Sequence, residues 1–306
     1  MPFGRPQPSH HSLHDEFEVV KPLVVTQGNF NAGVYKVRSR QGRICVEKRF
    51  KESDILDGRA ANEINLLLAC KHPNINEYMH AFVDEGPRAR PKASLYTDIC
   101  DLGSLNDILE KYEKQHRGIG EAFIWSAFKD LANAIGYMQH GITDTVRGGP
   151  RDPKWHPIIH RDIAPRNVFL QSGQQRYPRV ILGDFGCGDF VELLTGQLPR
   201  FDPRWAPPEA PTFGPTSDVW SMGAVVQAMC RLDGPAERYG SVPDGRHYRG
   251  NVGGYSEQLN KALAYAMADD PRMRVGIREL APRLRKYEKE AQAAEQDIPD
   301  WAFERR

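Results

Sequence analysis

The sequence predicts an α+β protein in two lobes, a small strand-rich one followed by a larger, mainly helical one. Three observations lead there. From Phe17 to Phe50 the β-branched and aromatic runs FEVVKPLVV, GVYKVRS and RICVEKRF are separated by Gly- and Asn-containing turns, the signature of an antiparallel meander. After Leu102-Gly103 the pattern becomes helical, at Leu105 to Lys114, Glu121 to His140, Val219 to Cys230 and Tyr255 to Met267. At 306 residues the chain can also bury a sizeable core.

Residues 1–16 carry three prolines and three histidines among few apolar residues, too little to offset the entropy of ordering, and read as a disordered leader. His10, His11 and His14 have no thiol or carboxylate partner at ligand spacing and read as solvated. After the meander, Ile64, Leu67 and Leu68 predict a helix over Ile55 to Cys70, with Ser53 able to cap its start. A strand pair at Tyr78 to Asp84 and Ala93 to Ile99 completes a first lobe of about 17–98, and the second runs over about 103–285. Within it, Gly141 to Pro157 is polar and rich in Gly and Pro, hence a surface loop. The charged tail 286–306 favours helix through its Ala and Glu run and is expected to fray beyond Pro299.

Composition excludes several classes. With 41 Lys and Arg against 40 Asp and Glu, nothing in the overall balance calls for nucleic acid or an anionic membrane. The five cysteines, Cys45, Cys70, Cys100, Cys187 and Cys230, are scattered without a C-x-x-C pair, which fits reduced thiols rather than a disulfide framework or a zinc site. No signal-peptide core and no bilayer-length apolar run is present, so the expectation is an intracellular protein, cytoplasmic or nuclear. Oligomeric state has no signature in the sequence.

The chemistry concentrates in two short loops. His160 to Asn167 reads HRDIAPRN and Asp184 to Gly186 reads DFG. Transfer of a phosphoryl group to a hydroxyl needs a carboxylate near the attacking oxygen, oxygen ligands for Mg²⁺ and a cation on the nucleotide phosphates. Asp162 suits the first role, Asn167 and Asp184 the second. Either loop alone would be a turn or cap; their order and spacing make coincidence a poor explanation.

With these motifs the chain resembles eukaryotic protein kinases over about 17–285, and the resemblance implies the bilobal fold of that family, with ATP and Mg²⁺ as cofactors and a protein as substrate. It makes Lys48 in ICVEKRF the strand-three lysine for the α- and β-phosphates and Glu63 its ion-pair partner, at the family's interval before His72-Pro73-Asn74-Ile75. Counting back from Gly103-Ser104-Leu105 puts Thr97 at the gatekeeper, Asp98 next to it and Cys100 where backbone usually bonds adenine. Val34, Val46 and Phe169 are the apolar residues expected to sandwich the base. Glu209 in WAPPE and Arg274 resemble the structural ion pair that closes the activation segment, and Asp218 the aspartate that anchors the catalytic-loop backbone. Leu67, His160 and Phe185 resemble the hydrophobic column that aligns the two lobes of an active kinase.

The chain departs from the family at identifiable places. In QGNFNAGVYK the glycines fall out of register, so that Gln27, Asn29 and Ala32 stand at the three glycine positions, with Gly28 among the residues expected at the nucleotide. Ala164 stands where Ser/Thr kinases carry lysine, and Arg166 is expected to substitute for it, assisting the γ-phosphate. The Ala and Arg of IAPRN resemble tyrosine kinases, as does Trp205, whereas Cys100 to Leu109, FIWSAFKDLANAIGYMQH and Asn167-Val168-Phe169-Leu170 resemble NIMA-related Ser/Thr kinases. A Ser/Thr acceptor is favoured, with a non-catalytic binding module as the alternative. Asp202 takes the place of the threonine that touches the catalytic aspartate in Ser/Thr kinases. Arg161 suggests a basic pocket that could take a phosphate on Thr195, with an unmodified surface threonine as the alternative.

Overall fold

The computed structural model describes residues 16–24, 32–84, 86, 90–193, 201–232 and 252–304. Residues 1–15 of the expected leader, Gly28 with Gln27 and Asn29, and Thr195 lie outside the described residues. The chain divides into two compact units, one of residues 1–71 and 76–99, the other of 72–75 and 100–306.

The first unit is an antiparallel sheet of β1 (Phe17–Val24), β2 (Gly33–Ser39), β3 (Ile44–Arg49), β4 (Tyr78–Asp84) and β5 (Lys92–Asp98), in the order β1-β2-β3-β5-β4. The meander read from the sequence is therefore real, and β5 enters between β3 and β4. Alternation along β3 decides which residues face which side. Cys45 packs with Val37, Phe82 and Tyr96 in one apolar cluster. Glu47 points the same way, is 1 % exposed, and accepts from Ser94 Oγ at 2.9 Å, Tyr96 Oη at 3.1 Å and Arg49 at 2.8 Å, so its burial is compensated. Val46 and Lys48 are left to the opposite face.

The helix expected over Ile55 to Cys70 is two helices, α1 (Glu52–Leu56) and α2 (Arg59–Ala69). Gly58 separates them at φ 82°, a left-handed conformation that glycine adopts without a Cβ clash. Ser53 consequently lies inside α1, whose N-cap is Lys51.

The second unit carries α3 (Leu105–Lys114), α4 (Glu121–His140), α5 (Pro215–Arg231), α6 (Glu257–Ala266) and α7 (Ile277–Ala291). Its strands form two small ladders, β6 (Ile158–Ile159) with β9 (Asp189–Phe190) and β7 (Val168–Gln171) with β8 (Arg179–Leu182). Local chemistry sets the helix starts. Ser104 and Asp107 close a capping box on α3, and Ser256 caps α6 by accepting from the Leu259 N–H. The core lies along α4 and α5, where Phe123, Trp125, Phe128, Leu131, Trp220 and Met222 are at most 1 % exposed. His72–Ile75 belongs to this unit because Asn74 Nδ2 donates to the Val180 carbonyl at 2.9 Å and the Leu182 N–H to the Asn74 carbonyl at 2.9 Å.

Two segments read from composition alone gain anchors in the structure. The 141–157 segment is a loop without helix or strand and largely exposed, as expected, but it is anchored: Ile142, Thr145 and Val146 are buried, and Trp155 Nε1 donates to the Met138 carbonyl at 2.7 Å. It lies so close to α4 that a Cβ on Gly136 would stand 1.9 Å from Thr145 Oγ1, which explains a glycine inside that helix. Against the expectation from composition, the described residues beyond Pro299, 300–304, do not fray. Residues Asp300–Ala302 form a 3₁₀ turn in which Trp301 packs 4.8 Å from the Tyr112 ring, and Lys111 Nζ donates to the Ala302 carbonyl at 2.8 Å. One aromatic anchor outweighs the polar composition around it. Among the described residues no helix is long and apolar enough to cross a membrane.

Candidate active site

In the first unit Lys48 Nζ sits 2.7 and 2.9 Å from the two carboxylate oxygens of Glu63, as the sequence expects. Both side chains are largely buried, at 15 % and 5 % exposure. Two charges removed from water hold each other, which fixes the ammonium at the end of a long flexible stem. Val34 and Val46 lie half-buried on neighbouring strands, with Val34 opposite Lys48 and Val46 opposite Thr97. Asp98 closes β5, its N–H donating to the Glu77 carbonyl at 3.1 Å.

Asp162, Arg166, Asn167 and Asp184 belong to the second unit, with Cys100 and the half-buried Phe169 of β7. The β7–β8 hairpin brings the two loops together. Val168 pairs with Leu182, so Asn167 and Gly183 leave the hairpin side by side, and the Gly183 N–H donates to the Asn167 carbonyl at 2.9 Å. Asp184 follows at φ 59°.

Asp218, at 0 % exposure, fixes the other end of the catalytic loop. Its Oδ2 accepts the His160 N–H at 2.8 Å and its Oδ1 the Arg161 N–H at 3.0 Å. Arg161 is held there at φ 64°, a left-handed conformation that costs a non-glycine residue about 1–2 kcal/mol and is offset by these charge-assisted bonds. Burial pushes the Asp218 carboxyl up to about 6, against the pull of the two N–H donors and the Arg161 charge. His160 meets Phe185 edge-on at 4.9 Å, two members of the expected column; Leu67 belongs to the first unit.

On this frame Asp162 is gripped from two sides. Asn167 Nδ2 donates to Asp162 Oδ2 at 2.8 Å and to the Asp162 carbonyl at 2.8 Å. Arg166 donates to Asp162 Oδ1 at 2.5 Å. Burial, with the nearby charge of Asp184, pushes the Asp162 carboxyl up to about 6, against Arg166 and Asn167. Because the Asn167 nitrogen is committed twice, its amide oxygen is the atom able to serve a cation. Among the described residues no group of three or more His, Cys, Asp or Glu converges as a metal cage. One carboxylate and one amide oxygen are hard donors of the kind that hold Mg²⁺ when phosphates and water complete the shell, so Asp184 and Asn167 fit that ion.

Three partners could not be read from the sequence. Asp189 meets Arg161 at 3.4 Å, and Arg161 also donates to the Cys187 carbonyl at 2.6 Å and the Gly188 carbonyl at 3.1 Å. The guanidinium that the sequence reserves for a phosphate is thus engaged by carboxylate and backbone. Arg204 clamps Asp202, with Nε 3.0 Å from Oδ1 and an Nη 2.8 Å from Oδ2. Burial alone would raise the Asp202 carboxyl, but the bonds from Arg204 and the charges of Arg204 and Arg166 hold it below its ordinary value. Ser217 Oγ donates to Glu209 at 2.7 Å beside Arg274, which donates to both Glu209 oxygens at 2.6 and 2.9 Å. Only acidic residues after the DFG and an i,i+2 Asp-x-Arg spacing offered a signal for the first two.

Known proteins are similar to this chain in sequence. Residues 24–280 match the family model described as "Protein kinase domain". The chain is 28% identical over 285 residues to the probable serine/threonine-protein kinase nek2 of Dictyostelium discoideum, covering 87% of this chain and 62% of that protein. It is 28% identical to the human serine/threonine-protein kinase Nek2 over 82% of this chain and 55% of the relative. With the G2-specific protein kinase nim-1 of Neurospora crassa it shares 30% identity over 73% of this chain and 27% of the relative. The chain therefore spans less than two thirds of the length of these relatives. Since the family match takes in Lys48, Glu63, the catalytic loop, the DFG and the Glu209–Arg274 pair, the chain belongs to the protein kinase domain family.

Proposed function

We propose that the chain transfers the γ-phosphate of ATP to a serine or threonine hydroxyl of a protein. The observation that carries this is the Asp162 carboxylate, fixed by Asn167 and Arg166 on a loop whose backbone is tied to buried Asp218. Asp162 orients the acceptor hydroxyl and takes its proton as the oxygen bonds to the γ-phosphorus; the bond from that phosphorus to the β,γ-bridging oxygen breaks, and ADP leaves. Lys48, steadied by Glu63, positions the α- and β-phosphates. Asp184 and the amide oxygen of Asn167 would hold Mg²⁺, whose charge offsets that of the phosphate oxygens. By resemblance to the family, Val34, Val46 and Asp98 of the first unit and Cys100 and Phe169 of the second are the residues assigned to adenine, and Arg166 is the one assigned to assist the γ-phosphate.

A complete base, metal and lysine set favours an enzyme over a non-catalytic binding module. The Ser/Thr acceptor is supported by the names of the Dictyostelium and human relatives, both serine/threonine-protein kinases. The test is phosphoamino-acid analysis of a generic protein substrate and of the autophosphorylated chain. Phosphoserine and phosphothreonine are expected; phosphotyrosine alone would show that IAPRN and Trp205 govern acceptor choice.

A further inference from the structure

Asp162 is not the only carboxylate that Arg166 touches. One Nη meets Asp162 and the other lies 3.5 Å from Asp202 Oδ2, so a single guanidinium bridges the two. Asp202 does not depend on Arg166 for its own position. The Arg204 N–H donates to Asp202 Oδ1 at 3.0 Å, the Arg204 side chain holds both oxygens, and the Trp205 N–H donates to the Asp202 carbonyl at 3.0 Å. Its side chain is 14 % exposed, against 39 % for Arg166. The carboxylate is the fixed partner and the half-open guanidinium the adjustable one.

This matters for what Asp162 has left to offer. An ionised carboxylate has about four lone-pair directions, whereas a guanidinium free to choose prefers a two-nitrogen fork on one carboxylate. Here Asn167 takes one direction on Oδ2 and Arg166 one on Oδ1. A fork from Arg166 would claim another, in competition with an incoming hydroxyl.

We propose that Asp202 is a positioning residue for the transfer: it holds one end of Arg166, so that Arg166 meets Asp162 through a single nitrogen and leaves that carboxylate open to the acceptor hydroxyl. The proposal rests on the kinase reading above. It gives the chain's replacement of threonine by aspartate a role, because a carboxylate at 202 is the natural partner for an arginine at 166.

The test is a double-mutant cycle on the full chain with Asp202→Ala, Arg166→Ala and the double variant. Asp202→Ala is expected to lower kcat about tenfold or more, as misplacement at a reacting group does, with KM for ATP unchanged. In the Arg166→Ala background the same change is expected to alter kcat by less than about twofold, since a residue acting through another has nothing left to act on. Additive losses, or a rise in KM for ATP at constant kcat, overturn the proposal. Asp202→Asn, which keeps the side-chain shape, replaces the alanine variant if that one melts early. A crystal structure of Asp202→Ala decides the matter without turnover: Arg166 is expected to close onto Asp162 through two nitrogens, and an unmoved Arg166 refutes the proposal. Absence of transfer by the unmutated chain would count against the kinase reading, leaving this structural arm to judge Asp202.

Discussion

Asp184→Asn is expected to lower phosphoryl transfer by at least about two orders of magnitude, the scale on which loss of one charge-stabilising group acts, while leaving the melting temperature unchanged. The substitution is nearly isosteric. Asp184 sits at φ 59°, and asparagine tolerates the left-handed region as well as aspartate does. The bond that Asp184 Oδ1 accepts from the Gly186 N–H at 3.4 Å is one an amide oxygen can also accept. What would disappear is the negative charge proposed for Mg²⁺: if Asp184 and Asn167 are its protein ligands, the change leaves two neutral amides, which would bind it poorly. The measurement pairs transfer of label from γ-labelled ATP with thermal unfolding of the same preparations. Retained transfer would remove Asp184 from the metal site; lost folding would make it a scaffold residue.

The largest effect on stability is expected at Arg274→Ala. The Arg274 side chain is 0 % exposed and that of Glu209 11 %. Besides its two bonds to Glu209, Arg274 donates to the Thr216 and Ala268 carbonyls, both at 3.0 Å. Burial alone would raise the Glu209 carboxyl, but the bonds from Arg274 and Ser217 hold it below its ordinary value, so it is ionised. Removing the arginine strands that charge together with two backbone acceptors, a loss of about 3–5 kcal/mol for a broken buried pair. Urea unfolding should show a lower midpoint at an unchanged slope. A loss below about 1 kcal/mol, the range of surface pairs, would mean that water reaches the pair.

Much of this was legible in the sequence because it rests on covalent spacing and local pattern. β3 alternation puts Lys48 and Val46 on one face and Cys45 and Glu47 on the other, and the helical period of α2 brings Glu63 to Lys48. Asp162, Asn167 and Asp184 were legible from motif order, and a two-residue-wide hairpin end suffices to bring their loops together. What escaped depends on partners distant in sequence or on a single dihedral. Gly58 splits a helix that its apolar periodicity reads as continuous. Trp155 and Trp301 tie down segments whose average composition is that of open loop and frayed tail. Arg161 has the chemistry of a phosphate receptor, and only the fold reveals that the β6–β9 ladder delivers Asp189 to it.

The claim that the chain is a Mg²⁺-dependent protein kinase is tested most directly by incubating the unmutated protein with γ-labelled ATP and a generic protein substrate, with Mg²⁺ and with EDTA in its place. Label in protein that requires Mg²⁺ is the predicted result. No transfer, together with no shift in melting temperature on adding Mg²⁺ and ATP, would contradict it.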